Sequence, residues 1–148
     1  MEFELTPPSS GTLAVLGLIA TLLVVTATLF VWITWSASHS SISIRDRSLK
    51  IDIPVYGRTI PIANLDLAGA QVLSLDERSD VRTVMRTNGI GLPGYAAGWF
   101  KLASGRKALL GVTSGRVLYI PTSEGYSVLL SVKHPDAALQ KLRSVAGA

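Results

Sequence analysis

The residues with the sharpest chemical spacing are Gly89, Gly91 and Gly94, which with Ile90, Leu92 and Pro93 spell G-x-G-x-x-G. In a dinucleotide site such glycines sit between a strand and a helix, so that the pyrophosphate meets the helix N-terminus. Here Pro93 and Gly98 interrupt any helix, and Trp99-Phe100 leads into another strand. The acidic residue wanted about 20 positions further on is missing, since the next one is Glu124. The motif therefore reads as a sharp glycine-rich connection between strands. Gly89, Gly91, Pro93, Gly94 and Gly98 are structural positions in it, where positive φ or close backbone approach is needed. Nucleotide binding by Gly89–Gly94 is the less favoured alternative.

Other chemistry is sparse. The chain has no cysteine, which excludes disulfides and thiolate nucleophiles, and its two histidines, His39 and His134, are too far apart for metal-ligand spacing. No Ser-His-Asp set assembles from the pattern, and His134 reads as a helix-boundary residue. Asp76-Glu77-Arg78-Ser79-Asp80 reads as a solvated turn whose acids could weakly attract a cation. The expectation is no enzyme, no cofactor and no metal. Basic residues are more suggestive: Lys101, Arg106 and Lys107 flank Ser104-Gly105 in a basic hairpin, and Arg45, Arg47 and Lys50 follow the apolar N-terminal run. Both groups are either ordinary solvated charge or contacts to anionic lipid. Nucleic acid is not expected, because no aromatic-basic stacking motif appears.

These residues hang on one dominant element. Thr12–Trp35 contains no charged residue and consists mostly of Leu, Val, Ile, Ala and Thr. About 20 such residues span the hydrocarbon core of a bilayer. Phe30, Trp32 and Trp35 crowd its C-terminal end, where amphipathic rings favour the interface. A cleaved signal peptide is the competing reading, with Ser36-Ala37-Ser38 offering small residues. The apolar run is too long for that, and the preceding segment carries Glu2 and Glu4 but no basic residue. Arg45, Arg47 and Lys50 on one flank, with none on the other, place the tail (1–11) outside and the remainder in the cytoplasm by the positive-inside rule. Gly17, Thr21 and Thr28 form a weak small-residue stripe, so the oligomeric state is left open between a lipid-facing span and a dimerising one.

The 148 residues suffice for that span and one small domain. All 14 Lys and Arg follow residue 44, against eight acids, a net charge of +6 that favours anionic surfaces. Residues 36–43 read as a polar linker and 44–148 as the domain. Leu49, Ile51, Ile53 and Val55 alternate with polar residues and Pro54 as in a half-buried strand, and Ile60 and Ile62 resume the alternation over Arg58–Ile62. Further strands are predicted over Ala70–Leu75, Val81–Thr87, Ala97–Leu102, Lys107–Thr113, Arg116–Pro121 and Tyr126–Val132. Ser104-Gly105, Ser114-Gly115 and Glu124-Gly125 supply turns between them. About seven or eight short strands indicate a mainly β domain, a small sandwich or partly open barrel. Pro135 and Asp136 then open a helix over about 135–145, with Leu139 and Leu142 on its apolar stripe and Lys141 and Arg143 near its end.

The order Tyr56-Gly57-Arg58-Thr59-Ile60-Pro61, then Arg86–Tyr95, Gly98-Trp99-Phe100, Ile120-Pro121-Thr122, Tyr126–Val132 and His134-Pro135-Asp136 resembles a bacterial PH (pleckstrin-homology-like) domain of small membrane proteins. The resemblance covers about Ser43–Arg143. It implies two roughly orthogonal antiparallel sheets forming a partly open barrel capped by the C-terminal helix, and no catalytic residues. The short final helix departs from the family and could leave part of the barrel mouth less covered. The functional expectation is a non-enzymatic, single-pass module at the bacterial inner membrane. It would bind a protein partner, a peptide or anionic lipid, with Arg45, Arg47, Lys50, Lys101, Arg106 and Lys107 as candidate lipid contacts. An exported binding or sensing domain of reversed topology is the alternative.

Overall fold

The computed structural model describes residues 7–77, 79–113 and 115–147. Glu2, Glu4, Arg78 and Ser114, which figured in the reading above, lie outside the described residues. Contacts divide the chain into two units, Met1–Ser38 and His39–Ala148.

The first unit is helix α1, Ser10–Ser38. It starts after Pro7-Pro8, where Ser9 takes the cap position: its hydroxyl accepts from the Thr12 amide at 3.3 Å and its carbonyl from Leu13 at 3.1 Å. At 29 residues it is about 42 Å long, and its Ser10–Ser36 window, with mean hydropathy 2.6, makes it a candidate membrane span. The hydroxyls of Thr21, Thr26, Thr28 and Thr34 donate to carbonyls four residues back at 2.8–2.9 Å. Satisfied within its own helix, each can face hydrocarbon without an unpaired donor. The hydroxyls of Thr21 and Thr28 in the small-residue stripe are thus engaged inside the helix.

The second unit begins with a strand where a linker was expected. Residues Ser41–Arg45 form β1, whose Ile42 and Ile44 pack against the core, so the connection shrinks to His39-Ser40. β1 turns through Asp46 and Arg47, both at positive φ (49° and 56°), into β2 (Ser48–Asp52), and β3 (Arg58–Pro61) completes a three-stranded antiparallel sheet. Two left-handed residues are what a two-residue hairpin turn requires. Leu49, Ile51 and Ile60 point inward and are almost fully buried. The alternation expected to run on to Val55 holds through the buried Ile53 and fails at Val55, which is 78% exposed, because Pro54-Val55-Tyr56 turns the chain.

The larger sheet holds β4 (Gln71–Ser74), β5 (Thr83–Leu92), β6 (Tyr95–Leu102), β7 (Lys107–Val112), β8 (Arg116–Pro121) and β9 (Tyr126–Leu130), in the order β4-β8-β9-β7-β6-β5. Ser114-Gly115 had been read as a turn between neighbours, yet β9 lies between β7 and β8. The β7–β9 pair is parallel, an exception to the wholly antiparallel sheets that the resemblance implied. Such a pair needs a crossover, and β8 supplies it. β7 and β8 are then about 9.6 Å apart, two strand spacings, with the end of β9 between them. There the Ser131 amide reaches Gly111 and its hydroxyl accepts from the Thr113 amide.

Side chains alternate between two buried clusters, one on each face of this sheet. Leu109, Leu118, Ile120, Val128 and Leu130 join Leu49, Ile51, Ile60, Leu139 and Leu142; Phe100, Leu110, Val117, Tyr119 and Leu129 join Val81. β9 is buried at every position, which explains its continuous run Tyr126–Leu130 instead of an alternating pattern. Helix α2, Pro135–Ala146, has Pro135 in its first turn and buries Pro135, Leu139 and Leu142. The Arg143 guanidinium donates to the carbonyls of Leu67 and Ala70, so it ties the helix to the β4 approach and does not only offset the helix dipole.

Candidate functional site

The glycine motif does not form a loop. Gly89, Ile90, Gly91 and Leu92 belong to β5, and only Pro93-Gly94 turns the chain, with Gly94 at φ 75°. Gly89 sits directly opposite Gly98 of β6. Here the backbones come so close that a Cβ on Gly98 would lie 2.6 Å from the Asn88 carbonyl oxygen, and one on Gly89 would lie 2.5 Å from that of Ala97. Gly98 is also held at φ 112°. Gly91 has neither constraint: its nearest neighbour is 3.9 Å away, so the expectation of a tight position there is corrected. Glycine is demanded by strand-to-strand approach, not by phosphate, and no helix follows the motif.

That close approach shapes a depression of about 380 Å³ lined by Thr87, Asn88, Trp99, Lys107, Glu124, Gly125 and Tyr126. A register shift between Arg86 and Asn88 leaves Thr87 as the extra residue of a bulge, and its hydroxyl donates to the Trp99 carbonyl at 3.0 Å. Bulges re-aim side chains in this way at strand edges. Trp99 and Tyr126 meet edge to face with centroids 5.2 Å apart. Arg58, from the smaller sheet, lays its guanidinium over both rings, 5.0 Å from Trp99 and 5.7 Å from Tyr126. The Tyr56 hydroxyl donates to Asn88 Oδ1 at 3.4 Å, and the Asn64 amide fixes Glu124 at 2.9 Å.

The Tyr126 hydroxyl is buried and makes no hydrogen bond of full geometry among the described residues, with Arg58 and Glu124 its nearest polar neighbours. Burial pushes the phenol above its ordinary 10.0; Arg58 opposes this and Glu124 reinforces it. Stability that depends on the neutral phenol is fully present below pH 10 and is lost as pH rises through the raised value. A buried hydroxyl without a well-formed hydrogen bond costs up to about 1–3 kcal/mol, so Tyr126→Phe is expected to leave the melting temperature of residues 39–148 unchanged or raise it by a few degrees. The variant should also lose the part of the alkaline destabilisation that this phenol causes. Paired melts of wild type and variant from pH 7 to about pH 11 check both.

The basic residues singled out from sequence do not gather into one patch. Arg45 and Arg47 lie at the β1–β2 hairpin, and Arg47 borders a separate hollow of about 620 Å³ with Pro61, Ile62, Leu67 and Ala146. Lys50 is on the outer side of β2, 3.8 Å from Asp52. Lys101, Arg106 and Lys107 do share the β6–β7 hairpin, with Lys101 directly opposite Lys107, but only Lys107 reaches the depression. Leu139 and Leu142 are core residues. Sequence reading passed over Arg58, Asn88, Trp99 and Tyr126 as site residues. The one signal available was two large aromatics, Trp99 and Tyr126, at strand positions beside polar or glycine neighbours.

Comparison with known proteins gives one family match. The model described as "Bacterial PH domain" matches residues 40–146, which take in every described strand, α2 and the whole of the depression. No curated protein and no solved structure matches the chain.

Proposed function

The chain belongs to the bacterial PH domain family, and from that premise we propose that it is a membrane-anchored, non-catalytic module whose domain captures a protein segment on the cytoplasmic side. The anchor is α1, a candidate span by length and hydropathy. Arg45, Arg47 and Lys50 on its C-terminal flank favour a cytoplasmic domain. Anchoring raises the effective concentration of the domain near membrane partners, so a weak contact suffices.

The observation that carries the binding reading is the Arg58–Trp99–Tyr126 cluster. A half-buried Trp under a guanidinium, beside Thr, Asn and Lys side chains, combines apolar surface with a few convergent polar groups, as binding pockets do. Trp, Tyr and Arg are also the residues in which interface energy concentrates. The test is a photo-crosslinking residue placed at Thr87 or Lys107 of the full chain in cells, compared with one at Lys141 on the exposed side of α2. Protein adducts are expected from the first two positions, and Trp99→Ala should reduce them about tenfold or more. Equal adducts from all three positions would overturn the assignment. A reporter active only in the cytoplasm, fused after Ala148, checks the orientation.

One observation favours anionic lipid as a second reading. Lys101 and Lys107 are cross-strand neighbours with Arg106 beside them, and directly opposed like charges repel unless an anion intervenes. Residues 39–148 would then sediment with vesicles rich in phosphatidylglycerol in low salt and be released in high salt.

A further inference from the structure

We propose that β5 accepts an extended acidic segment of another protein as an added strand, seating one of its side chains in the Trp99–Tyr126 depression. This rests on the protein-capture reading above and specifies the chemistry and geometry of the partner. β5 is the last strand of the six-stranded order and, among the described residues, pairs only through β6. It is ten residues long, against four in β4 at the opposite edge. A long unpaired edge presents a row of backbone donors and acceptors, and proteins usually blunt such edges with bulges and charges. On β5 the bulges are confined to its first half, with register shifts at Thr83/Met85 and Arg86/Asn88, while the one charge, that of Arg86, extends along the strand to within 4.0 Å of a Cβ on Gly91.

The second half is regular. Asn88–Leu92 pairs residue for residue with Tyr95–Trp99, without bulge, charge or proline. A Cβ on Gly91 would make only ordinary contacts, 3.9 Å from the Phe100 ring and 4.0 Å from the Arg86 guanidinium, so the backbone there is not crowded. Leu92 stays 45% exposed although it lies in a strand. Asn88 belongs both to this regular edge and to the lining of the depression, so a strand laid along the edge passes the Trp99 ring. Main-chain bonds then supply affinity and the pocket supplies selectivity.

Charge identifies the occupant. Arg58 and Lys107 stand at the depression, with Arg86 and Lys101 on the flanking strands, while Glu124 is engaged by Asn64. An acidic chain is attracted there. A second copy pairing β5 to β5 would bring Thr83–Leu92, which contains no acidic residue to meet Arg58 and Lys107, so the charge at the depression gives self-pairing no support. A lipid surface meets the cations but offers no partners for the edge amides.

The test uses the full chain in nanodiscs of neutral lipid and three labelled decapeptide pools. One has Glu at alternate positions with mixed Val, Ile, Thr and Phe between, the second has Lys in place of Glu, and the third is the Glu pool N-methylated on alternate backbone amides. Fluorescence anisotropy should show the Glu pool binding about tenfold or more tighter than the Lys pool, and N-methylation weakening it by about tenfold or more. Hydrogen exchange on addition of the Glu pool should slow at amides within 88–92. If the N-methylated pool binds as well as the parent and Trp99→Ala weakens both, strand addition is wrong and capture by the depression stands. If the Glu pool fails to bind, strand addition is overturned. Should the chain then bind phosphatidylglycerol nanodiscs through Lys101 and Lys107 instead, the protein-capture reading fails with it.

Discussion

Leu142→Asp should leave residues 39–148 unfolded. Leu142 is fully buried (0% exposed) and, with Leu139 and Pro135, forms the face by which α2 covers the core beneath β1–β3 and the larger sheet. Removing a buried Leu typically costs about 2–5 kcal/mol, and an unpaired carboxylate in its place adds several more. A domain of this size is stable by about 5–15 kcal/mol, so the loss consumes most or all of it. Leu139→Asp, at 8% exposure in the same cluster, should act in the same direction. Lys141→Ala, on the exposed side between them, should stay within about 0.5 kcal/mol of wild type. Near-ultraviolet circular dichroism and thermal melts decide the case: a cooperative melt for Leu142→Asp would mean that α2 is not part of the core.

Gly98→Ala should come next in effect, and it should strike the site directly. Its new methyl group would meet backbone, the Asn88 carbonyl oxygen and the Gly89 Cα, each 2.6 Å away, which cannot rotate aside. It would also force a side chain into φ 112°. Overpacking costs about 1–3 kcal/mol and the left-handed conformation about 1–3 more, so the loss should be roughly 2–6 kcal/mol. To relieve it β5 must separate from β6, which pulls Asn88 and Thr87 away from Trp99 and opens the depression. Gly91→Ala makes the matched control, with nothing nearer than 3.9 Å. The pair predicts a large fall in melting temperature for one alanine and almost none for another, seven residues apart. Equal effects would contradict the strand assignment of the motif.

The contrast between these two glycines marks how far the sequence could be read. Periodicity alone supports the long apolar helix, the strand Arg116–Pro121 and the closing helix with Leu139 and Leu142 inward, because each is a local pattern with its own end signals. Ser41–Ser43, the start of β1, reads as linker because Ser41-Ile42-Ser43-Ile44 alternates over too few residues to stand out beside a long apolar run. The extent of β5 was hidden by Gly89 and Gly91, which read as punctuation, whereas Gly89 and Gly98 face each other across two strands and serve packing. The insertion of β9 had no local sign at all: a short Gly-containing connection after Val112 looks the same whether the next strand is a neighbour or one place removed. The depression was illegible for the same reason. Arg58, Trp99 and Tyr126 come from β3, β6 and β9, and only the pairing of those strands brings a guanidinium within 5.0 Å of an indole.

The place of β9 sets the order in which this domain can be completed during synthesis. Synthesis runs from the N-terminus, so the candidate span α1 precedes every strand of this domain. β7 and β8 follow, but each lacks a partner on its facing side until Tyr126–Leu130 arrives between them. Until then the nascent domain carries two unsatisfied inner edges and an unfilled core, the kind of species that aggregates or recruits chaperones. A premature stop shortly before Tyr126 would therefore not trim the fold at its margin. It would remove an interior strand of the larger sheet and leave an unfinished chain for quality control to clear.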